Sequence, residues 1–221
     1  MPAFELAALQ RYLDLMDRNL EALVEQDPSP SWDGDVNASG AAFVAQLHHE
    51  VVSTMLPQVF RSSYALVLYA TYEAAVTETA DVLQKQHGKL DALPTSRSFL
   101  RVARKYFRDE FAIDLLPEGD KTTNDLHILS RVRNALVHAN GRKGAILAKK
   151  WEALKKDRVA GAAFTLEDDY VRLEARFLVD MLLAVRVSLR ALIAAARTSL
   201  DAAATGPNTA CRPPLNLGGL A

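Results

Sequence analysis

Apolar positions recur at helical spacing along most of this chain. Phe4, Leu6, Leu9, Leu13, Met16, Leu20 and Leu23 lie two to four residues apart, which predicts an amphipathic helix over 3–26. Asp27-Pro28-Ser29-Pro30-Ser31 ends it, and a polar loop runs past Gly34. A second helix is predicted from Ser39-Gly40 through Phe43, Leu47 and Val51. Pro57 should break or kink it, because proline lacks the N–H and its ring clashes with the preceding turn. From Arg61 to His87 the pattern is apolar around most of the circumference near 64–76, which predicts a central buried helix closed by Gly88. Ser96 through Phe111 predicts another, followed by a loop with Pro117 and Gly119. Thr122-Thr123-Asn124-Asp125 resembles a capping box with Asp in place of Glu or Gln, opening a helix that reaches Asn140-Gly141. A shorter helix is predicted over 145–156 and a short extended piece over 162–166. The seam Val171, Leu173, Phe177, Met181, Leu182, Val185, Leu189 and Leu192 predicts one long helix over 170–200. The expected fold is all-α, a bundle of about six or seven helices. Residues 1–38 should pack on it as a helix and loop, 39–203 form the main domain, and 204–221 form a flexible tail.

Composition changes this picture little. At 221 residues, 49% hydrophobic and 24% charged, the chain is of ordinary globular type. Its apolar stretches are cut by charges or hydroxyls within about ten residues, short of the about eighteen a membrane span needs. The N-terminal twenty residues mix acids and bases and carry no secretory-signal pattern. Cys211 is the single cysteine, so no internal disulfide and no cysteine zinc site are expected, and a cytoplasmic location follows. No glycine-rich strand–loop–helix is present to cradle a nucleotide phosphate. No cofactor is expected.

Charge distribution is more informative than the net −1. Residues 97–158 hold fifteen Lys/Arg against eight Asp/Glu, a local +7, which leaves −8 on the rest. A basic central third is a possible polyanion footprint, although a solvated helical surface explains it as simply. The richest stretch runs from His127 to Arg142. Leu126, Leu129, Val132 and Leu136 make one apolar face, and His127, Arg131, Asn134 and His138 fall on the opposite stripe. Arg133 projects beside Leu126 and Leu129. A guanidinium there must reach the surface or find a carboxylate, and Glu73, isolated among Tyr69, Tyr72, Ala74 and Val76, is the candidate partner. His138 sits in the last turn, where the negative end of the helix dipole favours its protonated form, and histidine is the usual proton-transfer group near neutral pH. A histidine at a helix end is also a common capping residue.

Arg133-Asn134-Ala135-Leu136-Val137-His138 resembles the arginine–polar–three residues–histidine signature of the HEPN superfamily, the higher eukaryote and prokaryote nucleotide-binding domains. Several features add to the resemblance over about 40–200: the late position of the motif helix, its His-Ala-Asn-Gly ending, the pattern Tyr69-Ala70-Thr71-Tyr72-Glu73, and the long closing helix. The chain is most similar to the RiboL-PSP-HEPN branch. The resemblance implies a metal-independent ribonuclease site, composite across a homodimer, with Arg133, Asn134 and His138 catalytic and Glu73 in support. His138 would act as acid or base in 2′-OH attack, two copies dividing those roles. Arg133 would neutralise the pentavalent phosphate, and Asn134 would orient phosphate or imidazole. With the motif present, Arg131, Asn140, Arg142, Lys143, Arg101 and Arg104 become candidate RNA contacts, where affinity should fall steeply with salt. Arg97, Arg101, Arg104 and Arg108 share one helical stripe.

Other candidates are weaker. His48-His49-Glu50 cannot converge on one metal, since helix neighbours point about 100° apart. Trp32 and Trp151 read as packing residues. The function expected is an endoribonuclease acting as a toxin or anti-phage defence effector, with RNA as substrate and an antitoxin or defence component as partner. The alternative is a non-catalytic helical module that binds RNA, nucleotide or protein. A ligand-binding regulatory bundle is a third class.

Overall fold

The structure is a computed structural model that describes residues 2–26, 38–88, 91–94, 96, 98–138, 164–167 and 170–205. It is all-α apart from one hairpin. The helices are α1 (Pro2–Gln26), α2 (Ala38–Glu50), α3 (Leu56–His87), α4 (Phe99–Phe111), α5 (Lys121–His138) and α6 (Ala175–Thr205). A π-helical turn, Val51–Met55, joins α2 to α3 without a break, so the described residues carry five separate helical runs. The predicted helix over 145–156, Trp32 and Trp151 lie outside the described residues; of the tail predicted over 204–221, residues 204–205 instead close α6, and the rest also lies outside them.

Three local outcomes differ from the sequence pattern, each for a physical reason. Pro57 does not end its helix. It sits buried at the second position of α3, and the wider turn before it carries the Leu56 N–H back to the Val51 carbonyl. That turn opens space where the proline ring would otherwise meet the preceding turn. The cap of α5 is Asp120 rather than Thr122: its carboxylate accepts the Thr123 N–H at 3.1 Å, and its carbonyl accepts the Asn124 N–H at 3.1 Å. The third concerns Tyr170–Leu173, which is a strand and not the start of the last helix. β1 (Phe164–Glu167) pairs antiparallel with β2 (Tyr170–Leu173), Glu167 facing Tyr170 across a two-residue connection. Val171 and Leu173 are buried with Arg172 half-buried between them, a two-residue alternation that the helical seam had absorbed.

The chain divides into two compact units, and α1, α3, α5 and α6 each contribute residues to both. The first comprises 1–6, 68–129 and 181–221. Its core is Leu68, Tyr72, Val76 and Leu83 from α3, Phe107 from α4, Leu126 and Leu129 from α5, and Leu182, Val185 and Leu189 from α6. Tyr72 is fully buried there, and its hydroxyl meets the Ser188 hydroxyl at 3.0 Å, which satisfies both. Helix α4 closes on Ala112 at φ 56°. The Ala112 N–H returns to the Arg108 carbonyl and the Ile113 N–H to that of Phe107, both at 3.1 Å.

The second unit comprises 7–67 and 130–180. Leu13, Met16 and Leu20 of α1, Tyr64 and Ala65 of α3, Val132 of α5, Leu173 of β2, and Phe177 and Leu178 of α6 form its core. The Tyr12 and Tyr64 rings stack at 6.3 Å and 7°. Gln58 clamps the hairpin: its amide donates to the Leu173 carbonyl at 3.0 Å and accepts the Leu173 N–H at 2.9 Å, while Arg61 donates to the same carbonyl at 3.2 Å.

Candidate functional site

Helix α5 carries the motif, and its surroundings differ from a surface amphipathic helix. Leu126, Leu129 and Val132 are buried as their spacing requires, whereas the fourth predicted position, Leu136, is half-buried and its neighbour Ala135 is buried instead. The opposite stripe is not a solvent face, because His127, Arg131 and Asn134 are all half-buried. From Asp125 to Leu136 no residue of α5 is exposed. Asp125 is itself buried and pairs with Lys121 at 2.8 Å.

Within the second unit the motif's first two residues are joined directly. Arg133, half-buried, donates from Nη1 to Asn134 Oδ1 at 2.9 Å. This bond engages the amide oxygen, and Arg133 has a further interaction besides it. His138 is the last residue of α5, five positions on, so the helix ends on the motif's histidine. Glu73, half-buried on α3, belongs to the first unit, whereas Arg133 belongs to the second.

Arg131 is the most unusual cation on α5. It is half-buried, and burial lowers its guanidinium from the ordinary arginine value. Among the described residues it has neither ion pair nor hydrogen-bond partner for its side chain. The sequence carries the signal for this isolation. Positions three and four away on the helix are His127, Ile128, Asn134 and Ala135, none of them acidic.

The arginine stripe of α4 divides. Arg101 is exposed and has no ion pair among the described residues. Arg104 is half-buried and already neutralised, 2.9 Å from Glu118 and 3.9 Å from Asp114. Arg108 and Lys105 share Asp109, at 3.3 and 2.9 Å, and these cations hold its carboxyl below the usual aspartate range. Arg97, Asn140, Arg142 and Lys143 lie outside the described residues. His48, His49 and Glu50 are all exposed, and among the described residues no group of three or more His, Cys, Asp or Glu side chains is placed to hold a metal ion. No described helix is long and apolar enough to cross a membrane.

No family model, curated protein or solved structure matches this chain.

Proposed function

We propose that this chain is a HEPN-like, metal-independent endoribonuclease, working as a homodimer and serving as a toxin or anti-phage effector held in check by an antitoxin or defence component. The observation that supports it most directly is the 2.9 Å bond between Arg133 and Asn134 on a helix that terminates at His138. Cleavage by 2′-OH attack needs a base for that proton, an acid for the departing 5′-oxygen, and fixed positive charge at the phosphate. His138 supplies the proton transfers and Arg133 the charge, with Asn134 held by Arg133 to orient the phosphate. Arg131, partly desolvated and without an ion pair among the described residues, adds a second cation three positions before Asn134, where a phosphate would gain more than at a hydrated surface lysine.

Purified protein incubated with RNA in the presence of chelator tests this. Wild type is expected to cut and leave 2′,3′-cyclic phosphate and 5′-hydroxyl ends. His138→Ala is expected to lose at least about a hundredfold in rate with its helicity intact. Equal cutting by both proteins would remove His138 from the mechanism. No cutting by either, across tRNA, rRNA and mRNA, would favour the non-catalytic binding module. One observation supports that second reading: Arg131, Arg133 and Asn134 are all half-buried, as structural residues would be.

A further inference from the structure

The helical run formed by α2, the π turn and the start of α3 exposes an apolar face. Phe43, Val44, Leu47, Met55, Val59 and Val67 are each half or more exposed, Phe43 at 66% and Val59 at 59%, and Phe60 lies at the edge. Phe43, Leu47, Val51, Met55 and Val59 are spaced by four. An uninterrupted α-helix rotates such a series about 40° per step, so it would spiral off the face. The π turn at Val51–Met55 takes up part of that rotation and keeps Met55 and Val59 in line with Phe43 and Leu47. The core-facing residues of the same run, Pro57, Tyr64 and Ala65, point the other way.

The exposed area of these seven side chains is roughly 700 Å², above the ~300–600 Å² of the largest apolar patch on a typical monomer. It is close to the ~800 Å² that each partner contributes to a standard interface. Its charge is equally specific. From Ala38 to Val67 the only Asp, Glu, Lys or Arg residues are Glu50 and Arg61, and Arg61 is half-buried with its guanidinium on the Leu173 carbonyl. A two-fold contact sets a patch against itself, so a charged face would repel its copy, whereas a nearly charge-free one does not. A nucleic acid or a charged peptide would find no counter-charge here, and phenylalanine and methionine are the residue types enriched at interface centres.

We propose that this face, Phe43 to Val67, is the interface between two copies of the chain. The proposal rests on the homodimer part of the reading above and names its interface, whereas the cleavage chemistry is tested separately by His138→Ala. Two runs of about 36 Å lie against each other there, with Met55 at the midpoint of each.

The test is the mass of the full-length protein by light scattering and sedimentation from about 1 to 100 μM, a range that spans ordinary dimer affinities. Wild type is expected near twice its 24.3 kDa. Leu47→Glu/Val59→Glu is expected to raise the dimer dissociation constant by roughly a hundredfold or more, because it places four like charges in one desolvated contact. Leu183→Glu, at an exposed apolar position on α6, should leave the dimer intact. Far-UV circular dichroism checks the fold of each variant, and Phe43→Glu serves if the double variant does not fold. A nitroxide at Met55→Cys in a Cys211→Ser background gives a second readout, with label-to-label distances within ~36 Å expected. A wild type monomeric throughout would overturn the proposal. So would a dimer that survives Leu47→Glu/Val59→Glu, or labels farther apart than the run is long.

Discussion

Two arginines that the sequence places on equal footing, Arg104 and Arg131, are in opposite circumstances. Arg104 is clamped by Glu118 and Asp114, so a phosphate would have to displace carboxylates to reach it. Arg131 has lost water and gained no partner among the described residues. An unpaired, partly buried guanidinium weakens a fold, and proteins retain such groups where a ligand meets them. Replacing it with an apolar side chain of similar length should therefore separate stability from binding. Arg131→Met is expected to leave the melting temperature unchanged or slightly raised while RNA affinity drops about tenfold. The slope of log affinity against log salt should shrink by about 0.7, the contribution of one single-strand phosphate. Arg104→Gln should do the reverse, leaving the salt slope as it is. Fluorescence anisotropy with a labelled RNA across a salt series, beside thermal melts, reads both. An unchanged slope in Arg131→Met would mean that this arginine serves the fold.

At the level of helices and turns, Ala112 is the sharpest case. It occupies the left-handed position that ends α4, at φ 56°, where a Cβ costs about 1–2 kcal/mol and glycine does not. Ala112→Gly is expected to recover up to about 1 kcal/mol after its own entropy cost, a rise of about 2–4 °C in melting temperature for a domain of this size. A fall would mean that the Ala112 methyl packs favourably. This residue also shows where sequence reasoning thins out. Helix positions were legible because burial follows a 3.6-residue period: α1 and α5 begin within one residue of where that period places them, while α3 begins at Leu56 rather than Arg61. The end of α4 was legible at Phe111, but nothing in an alanine announces a left-handed cap. Val171 and Leu173 fit both a helical seam and an alternating strand; pairing with Phe164–Glu167, a tertiary fact, decided between them. For the site, the spacing of Arg133, Asn134 and His138 was readable along one helix. The half-burial of His127, Arg131 and Asn134 was not, because it depends on which other elements cover the polar stripe.

For the molecule as a working unit, the question is whether one chain suffices. The proposed RNA cleavage requires both a general base and a general acid, and each chain offers a single His138 on its motif. If two copies divide these roles in one cleft, a dimer with one His138→Ala chain has lost half of its proton relay and is inactive. Wild-type and His138→Ala chains mixed in equal amounts and allowed to exchange give about one quarter wild-type homodimers, half heterodimers and one quarter mutant homodimers. A shared cleft then predicts about one quarter of the cutting rate of the same total concentration of wild type. Independent sites predict about one half, since every wild-type chain works whatever its partner. The measurement is a titration of His138→Ala chains into wild type at fixed total protein, following the rate of RNA cutting after exchange is complete. A quadratic fall in rate with the wild-type fraction supports a site built from two chains, and a linear fall assigns the whole reaction to one. Repeating the titration with Leu47→Glu/Val59→Glu in both chains ties the curve to the apolar face. If that face joins the copies, this variant should cut little at any mixing ratio, because the two histidines no longer meet.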